Sequence, residues 1–168
     1  ISVMRLEVLL TVMVLYQLIA DLSGTENKRP VINSTIFIFG IITVVGFIPS
    51  TGVRLFGNMY IQDELRMLLK NILNVSTLII LLQSAGWLTK SENQSKTGAF
   101  FLLIFSTLIG MYFMISAGDF LMLYLGLELA TLPLTILAAF DKKLRRSAEA
   151  GIKLLMSSAV SSAVLLFG

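Results

Sequence analysis

Six apolar stretches follow one another along this chain, at 4–20, 31–49, 65–88, 98–117, 120–140 and 148–168, with short polar segments between them. Most are roughly 18 to 24 residues long, the length a helix needs to cross a hydrocarbon core about 30 Å thick. Continuous runs of this length exclude barrel strands, which need only about 9 to 11 residues of alternating polarity. The pattern predicts an all-α transmembrane protein with six membrane-spanning helices. Its composition agrees: 56% of the 168 residues are hydrophobic and only 14% are charged. The residues Leu18-Ile19-Ala20 that end the first stretch lack a small-x-small cleavage pattern, so that stretch is read as a span and not as a signal peptide.

The polar segments set the orientation. Lys28 and Arg29 fall between helices 1 and 2, Lys90 and Lys96 between 3 and 4, and Lys142, Lys143, Arg145 and Arg146 between 5 and 6. The other side carries Arg5, Arg54 and Arg66, and the two-residue gap Gly118-Asp119 has no cation. The positive-inside rule therefore puts the first set in the cytoplasm and the N-terminus outside. The net charge of +3 is a topology signal of this kind, and no nucleic-acid partner is expected. Helices 4 and 5 must be antiparallel neighbours, with Asp119 as N-cap of helix 5. The segment containing Pro49, Gly52 and Gly57 is expected to be a turn-rich loop, and Lys70, near the outer end of helix 3, to reach the headgroups along its own stem.

The chain has neither Cys nor His. Disulfides, thiolate chemistry and the commonest metal ligands are thereby removed, and proton chemistry must run on carboxylates and lysines. Glu128 is the foremost candidate. It is the ninth residue of its run, about 12 Å from the outer end, where an acidic side chain costs about 2.5 to 3.5 kcal/mol to insert and must face other helices or water. Thr131 and Thr135 extend a polar stripe from it, and Pro133 removes one backbone donor and disturbs the carbonyl of Leu129. These threonines can equally bond their own helix, with Pro133 a simple kink.

Lys153 is the second candidate, about 9 Å below the cytoplasmic end of helix 6. Ser157 and Ser161 continue a stripe inward from it, and Ser158 and Ser162 widen that stripe. Glu149, four residues earlier, offers Lys153 a local ion pair instead. Helix rise places Glu128 and Lys153 about 9 Å apart along the axis, so a direct contact between them is not expected.

Several of these segments are familiar in combination: Ser116-Ala117-Gly118-Asp119-Phe120-Leu121, Leu123-Tyr124-Leu125-Gly126-Leu127-Glu128-Leu129 and Arg146-Ser147-Ala148-Glu149-Ala150-Gly151-Ile152-Lys153, with 157–168 and the lead-in Leu55-Phe56-Gly57 to helix 3. They resemble the proton-conducting antiporter-like subunits of respiratory complex I. The resemblance implies a membrane-arm subunit that takes part in proton translocation coupled to quinone reduction, with Glu128 and Lys153 as proton-transfer groups on a buried polar axis. It implies no redox cofactor in this chain, with NADH, FMN, iron–sulfur clusters and quinone held by other subunits. The partners it implies are other membrane-arm subunits and the lipid bilayer, in a bacterial inner membrane or alternatively an organelle inner membrane.

Members of that family have roughly 14 helices in two inverted repeats. On that pattern 1–97 is an N-terminal three-helix region and 98–168 the first three helices of an incomplete first repeat. The chain would then be a piece of a longer subunit, or the product of a split gene completed by another chain. A cation/proton antiporter subunit of the multi-subunit type, or a structural membrane subunit without an ion path, are the alternative functions.

Overall fold

The computed structural model describes residues 4–23, 28–48, 53–55, 57–90, 94–140 and 145–168. Six helices account for most of them: α1 (Arg5–Leu22), α2 (Arg29–Gly46), α3 (Glu64–Leu88), α4 (Thr97–Ser116), α5 (Phe120–Ala138) and α6 (Arg145–Phe167), with a 3-10 turn at Gln94–Lys96 leading into α4. The helices α2 to α6 are each long and apolar enough to cross a membrane. α1, as long as α2 at 18 residues, carries Arg5, Glu7 and Asp21 within them. Six helices are observed where the run-and-gap pattern predicts six, and five of them have the length and apolarity of a membrane span.

The fourth helix is the hub, with α1, α3 and α5 packed on it, while α2 packs on α1 and α3, and α6 lies along α5. The core is shared by the first four helices: Leu6, Leu10 and Met13 of α1, Ile32 and Phe39 of α2, Leu81 and Leu88 of α3, and Phe101, Phe105 and Tyr112 of α4. Phe105 ties this core together through Phe39, with ring centroids 5.5 Å apart, and through the stacked Phe101 at 6.1 Å. The outer faces are apolar and exposed, as at Phe37, Val44, Leu121 and Val160. That is the surface a lipid or a neighbouring helix covers at no desolvation cost.

The α4–α5 hairpin is built on glycine. A Cβ added at Gly110 would strike the backbone of Ala130, and one added at Gly126 would lie 2.6 Å from the Met114 nitrogen. The two helix axes therefore approach more closely than larger side chains permit. Asp119 caps α5 as expected, accepting a hydrogen bond of 2.9 Å from the Met122 amide. Pro133 is buried within α5, which continues through it.

The segment expected to be an irregular loop contains a small antiparallel hairpin, β1 (Val53–Leu55) with β2 (Tyr60–Gln62), in which Val53 faces Gln62 and Leu55 faces Tyr60. Gly57 and Asn58 turn it with φ of +64° and +78°, the left-handed region that Gly and Asn tolerate best. Pro49 and Gly52 lie outside the described residues. Tyr60 also bridges to Ala117, so the hairpin is completed by the distant α4–α5 turn. Strands of only three residues, supported by a bridge to a residue so far along the chain, leave little local signal.

Candidate functional site

The half-buried Glu128 accepts at its backbone carbonyl from the Thr131 hydroxyl at 3.4 Å, and Thr135 donates to the Thr131 carbonyl at 2.9 Å. Both threonines thus bond their own helix, the simpler of the two arrangements the sequence allowed. Thr135 is buried and Thr131 half-buried. Among the described residues no hydrogen bond or ion pair reaches the Glu128 carboxylate. Thr135 opens onto a groove between α4, α5 and α6, also lined by Lys96, Ala139, Phe140, Gly151 and Leu155.

Lys153 takes the local option. Its ammonium donates to Glu149 at 2.6 Å, and both side chains are exposed, at 74% and 58%. Ser157 and Ser161 share that exposed side of α6, so the inward stripe drawn through them does not line the contact with α5. The face on α5 runs instead through buried Gly151, half-buried Ser158 and buried Ser162. A Cβ at Gly151 would meet the Ala139 side chain, which fixes the register of the pair.

Eleven residues from that contact, about 16 Å along each antiparallel helix, lie Glu128 on α5 and Ser162 on α6. The rise along the two antiparallel helices puts both residues at the same level of the α5–α6 pair. The Ser162 hydroxyl, buried and without a hydrogen-bond partner among the described residues, is thus at the level of Glu128. Lys153, two residues from the contact, is about 14 Å away from that level. This exceeds the expected 9 Å because Gly151, and not Ser147, lies level with the end of α5.

A second charged cluster joins α1, α3 and the hairpin. Lys70 is not at the headgroups: its side chain is 0% exposed and forms an ion pair with the equally buried Glu7. The correction has a non-local cause, since α1 brings a carboxylate and β2 brings two further acceptors within reach. Lys70 also donates to the Tyr60 hydroxyl at 3.0 Å and to Gln62 Oε1 at 2.9 Å. Tyr60 donates to Glu7 at 2.7 Å, and Ser116 at the end of α4 donates to Gln62 Oε1 at 3.4 Å. Burial, helped by the neighbouring Glu7 carboxylate, pushes the Tyr60 phenol above its ordinary range. Next to the cluster Tyr112 bonds Asn74, and Lys70 lies over the Tyr60 and Tyr112 rings at 5.1 and 5.4 Å. The local signals for this cluster are the two charges themselves, Glu7 inside the first apolar stretch and Lys70 inside the third.

No group of three or more His, Cys, Asp or Glu side chains that could hold a metal ion occurs among the described residues.

Residues 117–168 match a family described as NADH:quinone oxidoreductase/Mrp antiporter, transmembrane. Over 98% of its length the chain is 39% identical to NADH-quinone oxidoreductase subunit N of Phocaeicola vulgatus, covering 35% of that protein. It is 40% identical, again over 98% of its length, to subunit N of Azobacteroides pseudotrichonymphae, covering 34%. The subunit N of Magnetococcus marinus is 32% identical over 86% of the chain. The chain thus spans about a third of the length of these curated relatives. The resemblance read from the segments around Glu128 and Lys153 is borne out, and both residues fall inside the matched family segment.

Proposed function

We propose, with that similarity as the premise, that this chain is part of a membrane-arm subunit of NADH:quinone oxidoreductase and takes part in proton translocation coupled to quinone reduction. The observation that carries the reading is Glu128, an ionisable group deep in an apolar helix, within the segment that matches the family. A carboxyl at that depth is retained against an insertion cost of a few kcal/mol, and proton exchange is the function that uses it. The Ser162 hydroxyl at the same level is a group through which a water could reach it.

In this reading Glu128 is the proton-transfer group, and Lys153 modulates it from about 14 Å along the axis by charge and not by contact. Thr131, Thr135, Ser157 and Ser161 are pathway-lining candidates, the two serines on the face of α6 that this chain leaves open to a neighbour. Residues 1–97 form a lead-in and 98–168 the start of the conducting unit. NADH oxidation and quinone reduction occur in other subunits, in keeping with a chain that lacks the Cys and His ligands of iron–sulfur centres. The location that fits is the bacterial inner membrane, as part of the respiratory complex. The family description also names Mrp antiporters, but the relatives matched over nearly the whole chain share the subunit N name.

The test is Glu128→Gln in the full-length protein within its native membranes. Protons moved per quinone reduced should fall at least about tenfold while the complex still assembles. Unchanged stoichiometry and turnover would refute the assignment, and Na⁺-dependent transport without quinone linkage would select the antiporter reading.

A further inference from the structure

The Lys70 cluster lies outside the segment matched to the family and takes no part in the mechanism above. An ammonium has three protons to donate, and Lys70 has an acceptor for each: Glu7, Tyr60 and Gln62. Such a group is saturated and fixed in place. A buried pair of this kind contributes little net stability over well-packed apolar residues, and its best-attested use is to specify one geometry.

The geometry it specifies is the seat of the β-hairpin. Tyr60 and Gln62 both belong to β2, and Gln62 continues the network to Ser116, the last residue of α4. The hairpin then grips the α4–α5 turn through its backbone. The Gly118 amide donates to the Met59 carbonyl at 2.7 Å, and Tyr60 bridges to Ala117. From α3, Arg66 donates to the Ala117 carbonyl at 3.3 Å. A Cβ at Gly118 would run into the Asn58 carbonyl, so the hairpin sits directly on the turn. These attachments converge on residues 116–118, immediately before the cap and first turn of α5. Beyond that turn, α5 is held to α4 at Gly110, Gly126 and Ala130 and carries Glu128 between the last two.

We propose that Lys70 and Glu7 form a clamp that seats the β-hairpin on the α4–α5 turn and so fixes the register of α5, which makes both of them positioning residues for Glu128. The proposal rests on the assignment of Glu128 to proton transfer, and its test separates the two.

The experiment uses the full-length protein in its native complex. The Glu7→Gln/Lys70→Met double variant removes both charges, and a second form adds Tyr60→Cys and Ala117→Cys. Those two positions pair directly across an antiparallel bridge, where Cα atoms lie about 4.5 to 5.5 Å apart, within the range a disulfide spans. Hydrogen exchange at the Gly118 amide reads the clamp, and protons moved per quinone reduced reads its effect on Glu128.

The double variant should exchange Gly118 at least about tenfold faster and lose coupled proton transfer several-fold. Oxidising the cysteine pair should restore both without restoring any charge, and reduction should abolish both again. Unchanged Gly118 exchange in the double variant overturns the clamp. Faster exchange with proton transfer intact overturns its role toward α5. Exchange rescued by the disulfide without proton transfer shows that the cluster acts through its charge, and also overturns the proposal. If Glu128→Gln leaves proton transfer intact, the functional assignment fails, and the exchange arm still decides the clamp. Should the double variant fail to assemble, Tyr60→Phe, which removes a single hydroxyl, is measured in the same way.

Discussion

The Tyr60 hydroxyl stands between two charges, donating to the Glu7 carboxylate and accepting from the Lys70 ammonium. Burial disfavours its phenolate first, and the Glu7 charge adds to that effect, so its pKa in the folded protein lies above the ordinary value near 10. The sign follows for stability. The favourable contribution of the neutral phenol is complete below pH of about 10 and is lost as pH rises through the higher folded value. In an alkaline titration followed by phenolate absorbance, the Tyr60→Phe variant should therefore match the parent up to about pH 11. A step missing from the variant near pH 10 would show that Tyr60 ionises normally and that the cluster is wet. Lys70 and Lys153 show what a sequence discloses at this scale. The Glu149 partner of Lys153 is four residues away, a spacing visible in the chain. The partners of Lys70 come from α1 and β2, and the position of α1 is set by packing that no local pattern encodes.

Between α4 and α5 the contact is made by absent side chains. Gly126→Ala places a methyl group 2.6 Å from the Met114 nitrogen, which is backbone and cannot turn aside. Overpacking of this kind costs about 1 to 3 kcal/mol, so the variant should melt at a lower temperature in detergent. Gly86→Ala in α3 is the matched control, because nothing lies within 4 Å of the new methyl. There the gain in helix propensity of up to about 1 kcal/mol should leave the melting temperature equal or higher. Equal effects from the two would mean that α4 and α5 are not in close contact. The existence of this helical pair was legible, because two long apolar runs separated only by Gly118-Asp119 have no other way to pack. Its packing face was not, since small residues are scattered over both runs and helix periodicity in an all-apolar segment singles out no side. For the same reason the sequence does not tell which side of α6 meets α5: Gly151 and Ser162 are on that side, while Ser157 and Ser161 are on the exposed one.

The ends of the helices gather into two opposite surfaces. At one, Asp21 pairs with Lys28 at 3.0 Å and abuts the start of α4 at Gly98. The same end holds Lys96, and the groove beside it reaches Phe140 and Ala148. At the other, the hairpin, Arg66 and the α4–α5 turn are joined. Alternating helices thus bring the cation-rich loops to a common side, as the loop charges required, and leave the Glu7–Lys70 cluster toward the cation-poor side. Orientation is then a single choice for the whole molecule, because no helix can reverse without breaking the antiparallel contacts of its neighbours. A cysteine-free parent carrying Met59→Cys, in the hairpin, should react with a membrane-impermeant maleimide added to intact cells. Ser95→Cys, in the middle of the 3-10 turn, should react only after the cells are opened. Both residues are exposed, so labelling reports sidedness and not burial. The reverse pattern would place the clamp on the cytoplasmic side. Glu128 would then have its shorter route, about 12 Å from the start of α5, leading inward. Labelling at both positions from outside would deny that the two ends face opposite compartments.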